Sequence, residues 1–389
     1  MEQKSKTQST KYKIMEKLLK SNKRSRVNLA KKLEISKAAV ADNVNKLLEA
    51  GIILETGQGK ASKVGGRKPI FLEINKAFCY IVSVDLSFEN PVCAIGNLHY
   101  ELLHDITLSV PAGAKEEKRL EAVGKAIDEL LSKISISRER VGYIIISSPG
   151  VVGEDEILHF SSPQFSRWTG MNIKAYLKER YQVPVVVKND VNMALLAEME
   201  MGKGKGYGNL AYITCGLGIG SGIALDYKLY EGENFAAGEI GYFIDRSSLE
   251  SGMNLEEEIH IGSILAEIEK DLKAGKDSVL QNIGGPLEFS HLVEGYHQGD
   301  RYLKDVFYEI GIKLGVAVAN MVSLLDLRMV IFGGLYSEFH EDLLKGVERV
   351  VSKVEIINPV IETSLFRSKG SIYGSFIVGT EYVIRQCSE

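Results

Sequence analysis

The sequence predicts an α/β protein that carries a small helical domain at its N-terminus. From Phe78 onward, short apolar, β-branched runs alternate with helical segments, which is typical of an α/β sheet. Residues 1–76 carry 18 Lys and Arg against 7 Asp and Glu, whereas residues 77–389 carry 29 against 44. Because the two segments have opposite net charge, we expect domains that bind different partners.

The composition is that of a soluble globular protein, with 389 residues, 45% apolar and 25% charged. This length predicts two or three domains. No apolar run is long enough to span a bilayer, and the lysine-rich N-terminus lacks the apolar segment of a secretory signal. The cysteines are scattered, at Cys79, Cys93, Cys215 and Cys387. We therefore expect a cytoplasmic protein with free thiols, no disulfide framework and no zinc ribbon.

Three short helical patterns lie in residues 11–50, at 11–22, 27–33 and 37–50. Ser25 and Ser36 are the expected N-caps of the second and third helices, and Gly51 is the expected stop. Residues 34–35 form the predicted tight turn. The apolar positions expected to face a core are Val27, Leu29, Ala30, Leu33, Val40, Val44, Leu47 and Leu48. Two short helices joined by such a turn predict a helix-turn-helix.

A strand–loop–strand wing follows this motif. Residues 52–54 and 70–74 read as strands, and the loop between them is rich in glycine, lysine and arginine. Its cations can meet phosphates or enter a minor groove. Double-stranded DNA is therefore the predicted partner, and the candidate DNA-binding residues are Ser36, Lys37, Ala39, Asn43, Lys46, Lys63, Arg67 and Lys68. The alternatives are a three-helix oligomerisation or peptide-binding module, or a solubilising tail.

In the acidic segment, predicted strands at 80–84, 141–147, 183–187 and 210–214 alternate with helices at 116–134 and from 191 to about 201. Residues 92–95 are a candidate hairpin partner of the first strand. Ligands on such sheets collect at the carboxyl ends of strands. Asn189 and Asp190 follow one of these strands, where Asp190 can bind hydroxyls or cap the next helix.

Other segments leave two interpretations open. The turn at 215–222 matches neither nucleotide-binding glycine motif, so it is either a phosphate cradle or a tight β-hairpin. Glu239, between Gly238 and Ile240, is a hydroxyl acceptor or part of an exposed turn. Trp168 either stacks on a sugar or packs into the domain surface.

Taken together, these motifs resemble the ROK family of repressors, open reading frames and sugar kinases. The resemblance covers nearly the whole chain. The motifs occur in the family's order: Ser148-Pro149-Gly150-Val151, Asn189-Asp190-Val191-Asn192, Gly216-Leu217-Gly218-Ile219-Gly220, Gly238-Glu239-Ile240-Gly241 and Phe332-Gly333-Gly334. The wing sequence Gly65-Gly66-Arg67-Lys68-Pro69 is similar to that of the repressor branch, the xylose- and N-acetylglucosamine-repressor type.

The resemblance implies a two-lobed, actin-like (ribonuclease-H-like) fold of the ATPase type behind a winged helix-turn-helix. It implies domains at 1–76, 77–190 and 191–389, with the C-terminal helix returning to the first lobe. Helical stretches such as 303–325 would return the chain to complete the second lobe. The implied sugar-binding residues are Asn189, Asp190, Glu239, Tyr242 and Glu256. Asp190 occupies the position of the kinases' catalytic base.

The sequence departs from the kinases at their nucleotide contacts. Where they carry Asp-x-Gly-x-Thr, this chain has Asp85-Leu86-Ser87-Phe88-Glu89, and Leu217 replaces their usual Thr in the second phosphate loop. Both changes remove polar phosphate contacts. Tyr242 replaces the His of the family's zinc site, and the three-cysteine cluster is missing from the sequence. We therefore expect no catalytic residue, no cofactor and no metal.

These observations predict a sugar-responsive, DNA-binding transcriptional regulator, acting as a repressor of carbohydrate-utilisation genes. It would bind a palindromic operator as a homodimer or a dimer of dimers, with no membrane partner. The alternatives are a sugar kinase with an added DNA-binding domain, and a regulator that responds to a phosphosugar or a partner protein instead of a free sugar.

Overall fold

The computed structural model describes residues 9–21, 24–58, 68–87, 90–110, 114–156, 158–160, 168 and 171–389. The α-helices are α1 (Thr10–Leu19), α2 (Arg26–Leu33), α3 (Lys37–Glu49), α4 (Glu116–Lys133), α5 (Ile173–Tyr181), α6 (Asp190–Glu200), α7 (Arg246–Ser251), α8 (Leu255–Ile259), α9 (Ile261–Lys273), α10 (Phe289–His297), α11 (Arg301–Leu325), α12 (His340–Val351) and α13 (Gly370–Ser388). The strands are β1 (Arg24–Ser25), β2 (Ile53–Gln58), β3 (Ile70–Ile74), β4 (Tyr80–Asp85), β5 (Val92–Asn97), β6 (Leu102–Thr107), β7 (Val141–Ser148), β8 (Val151–Val152), β9 (Leu158–Phe160), β10 (Val185–Asn189), β11 (Leu210–Cys215), β12 (Ile219–Leu225), β13 (Lys228–Leu229), β14 (Met329–Gly333) and β15 (Val360–Thr363).

The N-terminal region forms the predicted helix-turn-helix with a three-stranded sheet in the order β1-β3-β2. The Ser25 and Ser36 hydroxyls cap α2 and α3 by accepting from the backbone N–H groups of Asn28 and Ala39. Glu34 turns the chain between the helices with a φ of 56°. The prediction that Val27 is buried is wrong, because Val27 is 60% exposed on the outer side of this short helix.

The first large sheet has the strand order β10-β7-β4-β5-β6. Strands β4 and β5 form the predicted antiparallel hairpin, whereas β4, β7 and β10 run parallel. One face of the sheet packs against α4 and α5, and Trp168 is buried in that core. The other face packs against α13 and reaches the core of the N-terminal region. The interpretation of Trp168 as a packing residue therefore fits its place in the fold.

The second large sheet repeats the arrangement of the first, in the order β13-β12-β11-β14-β15. In each sheet, antiparallel hairpin strands are followed by two parallel ones. Two sheets of the same topology are the expected two-lobed architecture. The turn at 216–218 joins β11 to β12, with Cys215 paired to Ile219, so this segment is a β-hairpin. The domain boundaries at 76/77 and 190/191 remain predictions.

Helix α11 lies in the core of the second lobe. In the part of the chain that the structure describes, it is the one helix whose length and hydropathy would suit a membrane span. It packs against α12, and its Phe307 ring stacks on Phe339 with centroids 3.5 Å apart. Leu314 and Val318 are fully buried in the same cluster. These contacts identify α11 as a core helix, since its apolar side is covered by protein.

Three of the cysteines, Cys79, Cys93 and Cys215, are buried as free thiols, and Cys387 is half-buried near the end of α13. Burial raises the pKa of the Cys79 thiol to about 12, and it raises the pKa of Cys387 as well, against the nearby Lys11 charge. The thiols are therefore held in their protonated form.

Candidate functional site

A cavity lies between the lobes, at the carboxyl ends of strands from both sheets. The candidate sugar ligands all line it: Asn189, Asp190, Glu239, Tyr242 and Glu256. The remaining wall includes the β11–β12 turn and the start of α13. Open α/β sheets bind ligands at this edge because strand-to-helix turns bring polar side chains together there. The fold thus brings together residues that are more than 60 positions apart in the sequence.

Asn189, not Asp190, is the N-cap of α6. Its Oδ1 accepts from the Asn192 backbone N–H at 2.8 Å, and its Nδ2 donates to the Gly150 carbonyl at 2.9 Å. The alternative that Asp190 caps the helix is therefore wrong, and Asp190 is the first helical residue. Because both ends of the Asn189 amide are bonded to backbone, Asn189 fixes the turn that carries Asp190 into the cavity.

Asp190 is a buried carboxyl whose Oδ1 has no hydrogen-bond partner among the residues that the structure describes. Burial raises its pKa to about 7, and the nearby charges of Asp85 and Glu239 add to this effect. Backbone N–H groups at the start of α6 act in the opposite direction. Buried polar atoms are normally hydrogen-bonded, so Oδ1 is suited to accept a bond from a ligand hydroxyl.

Asp85, which the resemblance aligns with the kinases' phosphate-binding turn, is fully buried. Its Oδ1 accepts from the backbone N–H and the hydroxyl of Ser87, and its Oδ2 accepts from the Ser371 hydroxyl. Burial raises the pKa of Asp85 against these bonds. Since both oxygens are already bonded within the protein, Asp85 packs as a structural group behind the cavity. Phe88 and Glu89 of the same turn lie outside the described residues.

The opposite wall carries two more carboxylates. The Glu256 carboxylate accepts from the backbone N–H of Ile219 at 2.8 Å, which joins α8 to the β11–β12 hairpin. Burial and the charge of Glu256 together raise the pKa of Glu239. Tyr242 is 44% exposed at the mouth, and its pKa is raised by burial and by both glutamates. The cavity is therefore rich in hydroxyl acceptors and negative in potential.

These side chains are not the ligand set of a structural zinc site. Within the described ranges, no group of three or more His, Cys, Asp or Glu residues is arranged to hold an ion. Structural zinc needs four ligands, mostly nitrogen or sulfur, and the resemblance aligns the Tyr242 phenol with the His of the family's zinc site. The zinc centre of the wider family therefore does not fit this chain.

Sequence reasoning missed the part of the cavity between β15 and α13. Arg367, Ser368, Gly370 and Ser371 line it. Arg367 adopts a φ of 51°, unusual for a residue other than glycine, and its guanidinium lies 3.6 Å from Glu338. No motif marks this segment, and only the return of α13 to the first sheet places it at the cavity.

Of the candidate DNA-binding residues, the structure describes Ser36 at the N-cap of α3, Lys37, Ala39, Asn43 and Lys46 on α3, and Lys68 shortly before β3. Ser36 and Lys37 are exposed at the start of α3, and Ala39 is half-buried. The Asn43 amide donates to the Ala39 carbonyl at 2.8 Å, and Lys46 pairs with Asp42 at 2.7 Å, so both are engaged within their own helix. Lys68 is exposed, whereas Lys63 and Arg67 lie outside the described residues.

A model of the ROK family matches residues 81–380. The chain belongs to the ROK family. The xylose repressor of Caldicellulosiruptor bescii is 26% identical over 379 residues, 94% of each chain. The xylose repressor of Bacillus subtilis is 24% identical and covers 87% of this chain and 85% of its own.

Solved structures share the fold. A ROK transcriptional regulator, a homolog of the E. coli MLC protein, superposes with a TM-score of 0.78 at 21% identity, covering 97% of this chain and 96% of its own. A ROK glucokinase from Streptomyces griseus, solved with glucose and AMPPNP, superposes with a TM-score of 0.65 at 22% identity, covering 77% of this chain and 98% of its own. The regulator covers the N-terminal region as well, which confirms the predicted fold class of a winged helix-turn-helix followed by a two-lobed domain.

Proposed function

We propose that this protein is a sugar-responsive transcriptional repressor of carbohydrate-utilisation genes. One observation carries the proposal. A single chain joins a cationic helix-turn-helix to a cavity that contains the buried Asp190 Oδ1. Among the described residues this atom has no hydrogen-bond partner, so it can accept a bond from a ligand hydroxyl. A relative that aligns over 94% of the chain, and hence over both parts, is named a xylose repressor. D-xylose is therefore the first effector to test.

The chemistry of the cavity favours an uncharged sugar over a phosphosugar. Its ionisable groups include Asp190, Glu239 and Glu256, with Asp85 directly behind them. Arg367 is the cation that lines it among the described residues, and Glu338 already offsets its charge. A phosphate dianion would be repelled by these carboxylates, whereas sugar hydroxyls donate hydrogen bonds to them.

The same geometry disfavours the kinase alternative. Phosphoryl transfer depends on groups that bind the nucleotide phosphates and their magnesium ion. Here both Asp85 oxygens accept bonds from serines, and Leu217 presents a methyl-bearing side chain at the cavity wall. We propose that Asp190 binds the effector without acting as a base. The protein would then have no enzymatic activity.

On DNA, the helix-turn-helix would bind a palindromic operator, with one α3 per half-site. This requires a homodimer or a dimer of dimers, because two-fold symmetric sites match two-fold symmetric proteins. Wing cations would supply affinity that does not depend on sequence. A protein that meets its operator and a free sugar in this way would act in the cytoplasm.

The decisive experiment measures operator release. A duplex selected by the protein from a random pool is titrated with protein, by fluorescence anisotropy, with and without D-xylose. We expect xylose to weaken binding about 5- to 150-fold, the usual range for coupled sites. Asp190→Asn should lose this response, while Asp226→Asn, a control at an exposed turn, should keep it. No selected duplex, or no response to any free sugar in a hexose and pentose panel, would refute the proposal.

The kinase alternative has a separate test. Purified protein is incubated with ATP, magnesium and the same sugars, and ADP formation is followed. We expect no sugar-dependent turnover. Turnover that disappears in Asp190→Asn would establish the kinase in its place.

A further inference from the structure

Helix α13 joins the cavity to the N-terminal domain. Its first residues, Gly370 and Ser371, line the cavity. At its other end, the Ser388 carbonyl accepts a hydrogen bond from the Ser9 hydroxyl at 3.2 Å, and Ser9 is the N-cap of α1. With 19 residues, α13 is about 28 Å long. One continuous helix therefore touches both regions.

At the cavity, α13 contacts the groups that surround Asp190. The Ser371 hydroxyl donates to Asp85, the carboxyl whose charge raises the pKa of Asp190. Helix α6, which begins at Asp190, also packs directly on α13. A Cβ added at Gly374 would lie 1.9 Å from the Met193 carbonyl oxygen, so the two helix backbones are in contact. Neither helix can shift along this contact without moving the other.

At the far end, α13 packs against α1. Val383 and Ile384 belong to the same apolar cluster as Ile14 and Leu18 of α1. The Arg385 guanidinium lies over the Tyr12 ring, 5.8 Å from its centroid. Helix α1 in turn packs against α3, the helix that carries the candidate DNA-binding residues.

We propose that α13 couples the occupancy of the cavity to the DNA-binding surface, with Ser371 and Arg385 as the contacts at its two ends. The proposal rests on the proposed function and names how its site is regulated. A sugar hydroxyl that donates to Asp190 stabilises the charged carboxylate. Asp190 releases its proton to solvent, and its negative charge repels the neighbouring Asp85 carboxyl, which displaces Asp85 and the Ser371 hydroxyl that donates to it. The resulting shift of α13 changes its contact with α1 and hence the placement of α3.

Arg385→Ala tests the far end, because Arg385 lies outside both the cavity and the DNA-binding surface. Calorimetry gives its D-xylose affinity, which should stay within about threefold of wild type. The ratio of duplex affinities with and without saturating xylose should fall at least about fivefold from the wild-type ratio. Arg385→Lys keeps a cation over Tyr12 and should retain most of the ratio.

Ser371→Ala tests the cavity end of α13. Its ratio of duplex affinities is also measured with and without saturating xylose, so that a change in sugar affinity does not affect the ratio. Ser375→Ala is its matched control, since Ser375 lies one turn along α13 and its hydroxyl bonds to the Ser147 hydroxyl and the Ser371 carbonyl, each at 2.9 Å, and not to Asp85. We expect Ser371→Ala to reduce the ratio and Ser375→Ala to preserve it. Xylose should alter amide hydrogen exchange in α1 of the wild type, and not in Arg385→Ala.

The outcomes separate the two proposals. A wild-type protein that binds neither sugar nor duplex overturns the proposed function itself. A wild-type protein that releases DNA on binding xylose, with Arg385→Ala and Ser371→Ala that respond equally well, overturns the role of α13. If Ser375→Ala reduced the ratio of duplex affinities as much as Ser371→Ala does, the proposed role of α13 would also be overturned, because a general destabilisation of the helix would then explain the effect.

Discussion

Replacing Asp190 with asparagine should make the protein more stable above neutral pH. Asp190 is buried, and its pKa is raised from 3.8 to about 7. The folded protein therefore holds this proton more tightly than the unfolded chain does. As a result, the protonated Asp190 makes its whole contribution to the free energy of unfolding below about pH 4. This contribution is lost as the pH rises through about 7.

The magnitude follows from the shift. One pKa unit corresponds to about 1.4 kcal/mol, so a shift from 3.8 to about 7 represents about 4 kcal/mol at pH 8. Asparagine has no charge to bury, but its amide leaves a polar group unsatisfied at a cost of about 1–3 kcal/mol. Asp190→Asn should therefore be more stable than wild type by about 2 kcal/mol at pH 8, and no more stable at pH 4.5.

The assay is urea unfolding followed by circular dichroism at several pH values between about 4.5 and 8. Glu198→Gln is the contrasting variant, because the buried Glu198 accepts bonds from the Ser364 hydroxyl and the Leu365 and Lys203 backbone N–H groups. Removing that carboxylate should destabilise the protein at every pH. If the free energies of unfolding of wild type and Asp190→Asn fell in parallel from pH 4.5 to 7, the conclusion that burial raises the pKa of Asp190 and destabilises its charged form would be refuted.

Three further substitutions test other parts of the structure. Ser36→Ala removes the hydroxyl that caps α3 and should destabilise the N-terminal domain by about 1 kcal/mol, measured by urea unfolding, while Ser36→Gly should cost less. Gly238→Ala should displace Glu239 and abolish protection by sugar in a thermal-shift assay, because a Cβ at this position of φ 92° would lie 2.0 Å from the Ser221 carbonyl oxygen. Lys68→Ala should weaken binding to all duplexes and reduce the slope of log K against log salt by about 0.9; an unchanged slope would exclude a phosphate contact.

The N-terminal domain was predictable because its signals are local. Ser25, Ser36 and Gly51 mark helix ends by their own backbone and side-chain chemistry, and each lies where expected. The failures there have local causes too. Val27 fits the apolar side of a helical pattern, but an eight-residue helix offers too few positions to fix which side is covered.

The cavity was predictable only in part. Asn189 and Asp190 are both good N-cap residues, and the bond from Asn189 to Gly150 on a neighbouring turn decides between them. Ser371 contacts Asp85 from 286 positions away, and nothing near either residue signals that contact. Motifs therefore located the strand ends that face the cavity, whereas the helix that closes it depends on long-range topology.

The distribution of the cysteines has a practical consequence. Thiolates react with maleimides, and the buried Cys79, Cys93 and Cys215 are both shielded and protonated. The pKa of Cys387 is raised as well, but Cys387 is only half-buried and is therefore the more accessible thiol of the set, one turn from the α13 residues that meet α1. A fluorophore attached there would place an optical reporter at that junction in the native sequence, without any engineered labelling position.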